Sequence, residues 1–155
     1  MKRYIITALL LLSLTGIQAQ DYQTGVGIRG NIATGGFTIK HFTDEQTAVE
    51  GLLLFGGWGF TVTGLYEIHA RAFEVDRLNW YYGGGAHIGQ WGSAHPFLDK
   101  PGHYAVVGLD GIIGLEYTIE EIPFTLALDW KPSLNLIGNP GSLVPLGGFT
   151  VRYVF

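Results

Sequence analysis

The sequence predicts an all-β protein: an eight-stranded antiparallel up-and-down transmembrane β-barrel that follows an N-terminal signal peptide. Three observations lead to this prediction. Apolar and polar residues alternate in eight segments, with the period of two that a strand imposes on its side chains. The chain has 24 Gly, 4 Trp, 8 Tyr and 9 Phe but only 14% charged residues. No segment after the N-terminal region reaches the ~18 consecutive apolar residues of a membrane helix, so a membrane crossing requires a closed barrel, in which every backbone group is paired.

Residues 1–19 have the three regions of a secretory signal peptide. Lys2 and Arg3 precede an apolar run at residues 4–14, and small residues lead to Ala19, after which we predict cleavage. The remaining barrel domain, residues 20–155, loses two of the nine basic residues and keeps all thirteen acidic ones, which leaves a formal charge of −6. This charge argues against nucleic acid as a partner. The chain has no Cys, so no disulfide framework is expected.

Each predicted strand has one apolar face. In chain order, we predict strands at residues 25–30, 36–42, 48–55, 60–71, 78–90, 105–119, 124–136 and 147–155. Their apolar faces consist, in the same order, of Val26 and Ile28; Phe37 and Ile39; Val49, Leu53 and Phe55; Phe60, Val62, Tyr66 and Ile68; Trp80, Tyr82, Ala86 and Ile88; Val107, Leu109, Ile113, Leu115 and Tyr117; Phe124, Leu126, Leu128 and Trp130; and Phe149, Val151, Tyr153 and Phe155. The third strand is less regular, because Leu52 and Leu54 share the face of Glu50. With its flanking turn residues, most segments reach the ~9 to 11 residues that a tilted transmembrane strand needs.

The opposite faces of these strands carry equal numbers of positive and negative side chains. They are Arg29, Lys40, Arg71, Lys131 and Arg152 with Glu50, Glu67, Asp110, Glu116 and Asp129. The lumen of an eight-stranded barrel is only wide enough for its own side chains, and unpaired charge there is costly. The balance therefore predicts a lumen filled by a network of ion pairs, which His69 and His87 are expected to join. A soluble, lipocalin-like barrel would expose this face instead, but the face is rich in Gly and poor in charge.

Candidate catalytic and metal-binding residues are few and follow no recognised spacing. Ser93, His95 and Asp99 could form a nucleophile, a base and an orienting acid, although three polar residues in one loop often occur by chance. His95, Asp99 and His103 are an equally weak metal set. We therefore predict no catalytic residues, no metal site and no cofactor.

The closing strand and four other segments resemble a known family. Phe155 ends the chain, Tyr153 lies two positions earlier, and apolar residues continue at alternate positions. With the strings GVGIRGN, LNWYYGGGAHIG, LDGIIGLEY and LDWKPSLNLIG, this strand resembles the small porin-like and OmpX-like eight-stranded barrels of the Gram-negative outer membrane. The resemblance covers nearly all of residues 20–155. It implies that Phe149, Val151, Tyr153 and Phe155 form the signal that the barrel assembly machinery reads.

The resemblance also implies a location and an orientation. Both termini would be periplasmic, and the long loops at residues 91–103 and 137–146 would be external, where they could contact an extracellular partner. We expect a monomer in contact with outer-membrane lipid, with a structural or surface-interaction role rather than an enzymatic one. The alternatives are a small outer-membrane channel, a lipid-modifying enzyme, or a soluble lipocalin-like barrel that binds a ligand.

Overall fold

The computed structural model describes residues 22–57, 59–92, 102–138 and 143–155, and within these ranges the chain is all-β, with no helix. The eight strands are β1 (Thr24–Gly30), β2 (Thr34–Phe42), β3 (Thr47–Gly56), β4 (Gly59–Arg71), β5 (Leu78–Trp91), β6 (Tyr104–Thr118), β7 (Phe124–Ile137) and β8 (Leu143–Val154). They form one closed antiparallel barrel in chain order, and β1 pairs with β8. The predicted eight-stranded up-and-down barrel is confirmed. The signal peptide at residues 1–19 lies outside the described residues.

The predicted bounds hold within two residues at every strand end except the start of β8. That strand begins at Leu143 rather than at residue 147, so the connection before it spans residues 138–142 and not 137–146. Pro145 makes the start of β8 difficult to predict, because proline cannot donate a hydrogen bond to a strand ladder. In the barrel, Pro145 lies directly opposite Pro132, so the two missing donors fall at one place in the ladder.

Both described ends of the chain lie at the same end of the barrel, because an even number of antiparallel strands returns to its starting side. We call this the terminus end; it also carries the turns at residues 43–46, 72–77 and 119–123. The opposite, loop end carries the connections at residues 31–33, 57–58, 92–103 and 138–142. The seam is closed by two backbone hydrogen bonds between Thr24 and Phe155, of 3.0 and 2.9 Å.

Short connections are stabilised by side chains that bond to the local backbone. At the terminus end, Asp44 Oδ1 accepts hydrogen bonds from the backbone N–H groups of Gln46 and Thr47, both at 2.9 Å. These bonds, chiefly the one from Gln46, lower the pKa of Asp44. At the loop end, Asn31 Oδ1 accepts from Ala33 N at 2.7 Å. Side chains of this kind mimic a backbone turn, which lets strands connect through few residues.

The barrel interior is partly apolar. Buried apolar side chains from β3 to β7 form one cluster, which consists of Leu52, Leu54, Leu65, Tyr81, Ile112 and Ala127. The two leucines that blurred the alternation of β3 therefore face inward with Glu50 and pack within this cluster. Alternation in a strand assigns a face, but an inward position accepts either an apolar or a paired polar side chain.

Candidate functional site

The charged lumen is the most distinctive feature of the described structure. Nine of the ten charged residues that the sequence placed on the inward face are buried within the barrel, each at most 6% exposed. They are Arg29, Lys40, Glu50, Glu67, Asp110, Glu116, Asp129, Lys131 and Arg152. Four of them are cations and five are carboxylates. They divide into a basal cluster, a middle pair and an upper cluster.

Arg71, the tenth residue, does not belong to the lumen network. Its side chain is 68% exposed, and its nearest acid is Asp76, at 3.7 Å in the adjacent turn. Strand alternation assigns Arg71 to the inward face, but the residue is the last of β4, where the barrel opens at the terminus end. Alternation cannot show that a position lies at the rim. Without Arg71, the interior contains one more carboxylate than cations.

The basal cluster consists of Lys40, Glu50, Glu67, Glu116 and Arg152, which come from five different strands. Arg152 binds Glu116 at 2.7 Å, and its guanidinium also pairs with Glu50. Lys40 Nζ lies 2.7 Å from Glu67, 3.4 Å from Glu116 and 3.5 Å from Glu50. Because β2, β3, β4, β6 and β8 are all linked here, the cluster ties opposite walls of the barrel together.

Two further side chains complete the basal cluster. Tyr22, which precedes β1, donates its hydroxyl hydrogen bond to Glu116. Burial, together with the nearby Glu116 carboxylate, raises the pKa of Tyr22, which keeps the phenol protonated as a donor. Thr38 donates to Glu50 at 2.5 Å. Alternation places Thr38 on the inward face of its strand, so the sequence could have identified it as a lumen residue. Tyr22 precedes the first predicted strand, so no alternation pattern includes it.

The middle pair is Arg29 on β1 with Asp129 on β7. The guanidinium donates two hydrogen bonds to the two carboxylate oxygens, the bidentate arrangement that is strongest for such pairs. Tyr81 adds a third donor to Asp129, at 3.0 Å. Each oxygen of this carboxylate is therefore bonded.

The upper cluster consists of His87, Asp110, Lys131, Ser133 and Asn135. Asp110 pairs with Lys131 at 2.5 Å and with His87 at 2.7 Å, and Ser133 also donates to it. His87 Nε2 lies 3.0 Å from Asn135 Oδ1, and Lys131 donates to Ser133 at 2.8 Å. The serine thus sits beside a lysine that already pairs with a carboxylate.

The remaining candidate residues divide between described and undescribed parts of the chain. Ser93, His95 and Asp99 lie outside the described residues, and so does most of the loop at 91–103. His103 is described and exposed. Within the ranges that the structure covers, no group of three or more His, Cys, Asp or Glu is arranged to hold a metal ion.

Of the four residues proposed as an assembly signal, three lie on the outward face of β8 and the fourth, Phe155, directly follows the strand. Phe149 and Phe155 are 50% and 53% exposed, and Val151 and Tyr153 are half-buried. Tyr153 packs edge-on against Phe124, with 5.6 Å between ring centroids. These four residues therefore do not face the lumen, which the side chain of Arg152 enters.

Among the described residues, charge outside the lumen lies at one end of the barrel. The charged side chains of the described chain that lie outside the network are Asp44, Glu45, Arg71, Glu74, Asp76, Arg77, Glu120 and Glu121. All lie in or beside the turns of the terminus end. Over the described strands, no outward position carries Asp, Glu, Lys or Arg.

A comparison with protein-family models, curated proteins and solved structures found no match for the chain. In the described part of the chain, no helix is long and apolar enough to cross a membrane.

Proposed function

We propose that this chain is an integral outer-membrane β-barrel with a side-chain-filled lumen and a structural or surface-interaction role. The observation that carries the proposal is the distribution of charge between the two faces of the strands. The outward faces expose apolar side chains on all eight strands and carry no charge among the described residues, whereas nine charged side chains are buried inside.

This distribution is the reverse of what a water-soluble barrel requires. The largest exposed apolar patch of a soluble monomer is typically ~300 to 600 Å². Here, large apolar residues are exposed all around the barrel. Examples are Ile28 on β1, Ile113 on β6 and Phe149 on β8. Hydrocarbon solvates such a surface without cost, and a closed barrel leaves no unpaired strand edge in lipid.

The aromatic side chains favour the same proposal. Toward the terminus end, outward aromatic residues include Trp80, Tyr82, Tyr117, Tyr153 and Phe155. At the loop end, Phe55 and Phe60 face each other across β3 and β4. Aromatic side chains at both ends of an apolar band are typical of the membrane interfaces of transmembrane barrels.

The interior favours a filled lumen over a channel. Arg152, Tyr81, Lys40 and Leu52 are among the largest side chains with less than 2% exposure, and all point into the barrel. Inward glycines leave no space either: a Cβ on Gly148 would overlap the guanidinium of Arg29. An open pore would require these groups to move apart.

Fractionation and gel mobility test the membrane assignment. We expect the protein in the outer-membrane fraction after its export, with a mobility that changes on boiling because the closed barrel resists the detergent. Recovery from the periplasm as a soluble protein with no heat-dependent mobility would favour the lipocalin-like alternative.

Planar-bilayer conductance tests whether the lumen is filled. We expect no steady current from the refolded protein, and a stable open level would favour the channel.

A further inference from the structure

The basal cluster contains more buried acid than its cations can balance. Lys40 and Arg152 face Glu50, Glu67 and Glu116, and every one of these residues is at most 2% exposed. A buried carboxylate is stable only when a cation and hydrogen bonds compensate for its lost hydration. Three ionised carboxylates around two cations would leave one negative charge uncompensated.

Two of the three carboxylates have strong partners. Glu116 receives Arg152 at 2.7 Å, and its other oxygen accepts from Tyr22. Glu50 Oε1 receives both Arg152 and Thr38. Because Arg152 remains charged at all ordinary pH values, these two acids are held in their ionised form by hydrogen bonds that require an acceptor.

Of the three carboxylates, Glu67 is the one whose negative charge its neighbours compensate least. Its cation, Lys40, is shared with the other two acids. Both of its bonds go to one oxygen: Oε2 lies 2.7 Å from Lys40 Nζ and 3.1 Å from His69 Nε2. The other oxygen, Oε1, is buried and has no partner among the described residues. Glu50 Oε2 is also buried without a hydrogen-bond partner in the described chain, but Glu50 has Arg152 on its other oxygen and Lys40 3.5 Å away.

His69 does not supply the missing positive charge. Its ring stacks on Tyr81, with 5.0 Å between centroids, and is 4% exposed. Nε2 faces Glu67, while Nδ1 is buried with no partner in the described chain. A doubly protonated ring would bury an N–H donor without an acceptor, which is unfavourable.

We propose that Glu67 holds a buried proton, so that the basal cluster balances two cations with two carboxylates. Titratable and charged groups surround Glu67 from all sides of the lumen: Tyr22, Lys40 of β2, Glu50 of β3, His69 of β4, Tyr81 of β5, Glu116 of β6 and Arg152 of β8. On β7, Asp129 forms its ion pair with Arg29. The lumen therefore binds a proton in addition to linking the strands on opposite sides of the barrel.

The proton makes stability depend on pH in a defined direction. An unfolded Glu loses its proton near pH ~4.3. Above that pH, the folded barrel binds one proton more than the unfolded chain, so the free energy of unfolding decreases as pH rises. The stabilisation is complete below the unfolded value and is lost as the pH rises through the point at which the folded site releases its proton.

Unfolding of the purified, folded protein at two pH values tests the proposal. Between about pH 6 and about pH 9, we expect the urea midpoint of the wild-type protein to fall. Glu67→Gln, whose amide resembles a protonated carboxyl group, should keep the same midpoint at both pH values and exceed the wild type at the higher one. The matched control, Glu116→Gln, should lower the midpoint at both, because it removes a partner of Arg152.

Infrared spectroscopy identifies the group that holds the proton. The wild-type protein should show the carbonyl stretch of a protonated carboxyl group at about pH 6, and the Glu67→Gln variant should lack it. Absence of this band from the wild-type protein would overturn the proposal whether or not the variants fold. The proposal would also fail if Glu67→Gln lowered the midpoint at about pH 6 as much as Glu116→Gln does.

Discussion

Arg152 connects parts of the chain that are far apart in sequence. From β8, it reaches Glu116 on β6 and Glu50 on β3, which is 102 positions away. An inward side chain can do this because an eight-stranded barrel is only about two side chains wide. Parity placed Arg152 and its two acids on the inward face, but the choice of partners depends on the height at which each strand crosses the lumen.

Replacing Arg152 with Ala should destabilise the barrel much more than replacing Thr150. Loss of Arg152 leaves Glu50 and Glu116 buried without their main cation, and breaking a buried pair typically costs ~3 to 5 kcal/mol. Thr150 is equally buried but only accepts a weak bond of 3.4 Å from Arg29, so its loss should cost ~1 kcal/mol. Urea unfolding of Arg152→Ala and Thr150→Ala measures both, and equal midpoints would contradict the ion-pair network.

Two glycines on neighbouring strands differ in whether they tolerate a side chain. Gly85 faces inward, and a Cβ there would lie 2.9 Å from the Cα of Leu65 on β4 and overlap the carbonyl of Gly64. Gly64 faces outward, and a Cβ there would meet nothing within 4 Å among the described residues. The inner surface of a small, strongly curved barrel brings backbones closer together than the outer surface does.

Gly85→Ala should therefore cost ~1 to 3 kcal/mol, because it overpacks the ladder between β4 and β5. Gly64→Ala should be neutral or stabilise by up to ~1 kcal/mol, because it removes flexibility from the unfolded chain. Their urea midpoints form a matched pair on adjacent strands. A neutral Gly85→Ala would show that the strands can separate at this point.

Among the strands, β8 shows most clearly how alternation divides a strand into an inward and an outward face. Its inward face supplies Thr150 and Arg152, its outward face supplies Phe149, Val151 and Tyr153, and the exposed Phe155 follows directly after the strand. Alternation predicted this division, since it follows from strand geometry alone. The start of β8 at Leu143 was not predictable in the same way, because the alignment of Pro145 with Pro132 on β7 depends on the register of the two strands.

If the outward face of β8 is the assembly signal, Phe155→Ala should impair assembly more than stability. The substitution keeps the backbone bonds to Thr24 and removes a side chain that is 53% exposed. We expect the heat-modifiable fraction in cells to fall severalfold, while the refolded protein keeps its urea midpoint. Phe37→Ala, at an outward site that is 61% exposed, is the control. Equal loss of assembly in both variants would argue against a specific signal.

At the scale of the barrel, the charged residues that the structure describes lie either in the buried interior or at one rim. Ion pairs occupy the lumen, the outward surface is apolar, and the exposed charges of the described chain lie at the terminus end. Composition alone indicated this arrangement only in outline, because 14% charged residues could also be spread over a soluble surface. Closure of the barrel determines which positions are at the rim, and this is why Arg71 is exposed.

A charge placed in the middle of the outward face distinguishes a lipid-facing surface from a water-facing one. Leu109 lies near the middle of β6 and is 53% exposed. In lipid vesicles, Leu109→Arg should cost ~2 to 4 kcal/mol relative to Leu109→Ala, because hydrocarbon does not solvate the guanidinium. Urea unfolding from vesicles measures the difference. If the two variants are equally stable, or if Arg is the more stable, the outward face contacts water.

Local alternation was sufficient to predict eight strands, their approximate bounds and the face on which each side chain lies, because the period of two is a property of the extended backbone. It could not predict the partners of the charged residues. Those partners lie on different strands, and their contacts depend on strand register and on the position of each strand around the barrel. Only the closed structure therefore separated the basal, middle and upper groups, placed Arg71 at the rim, and brought three buried carboxylates around Lys40 and Arg152.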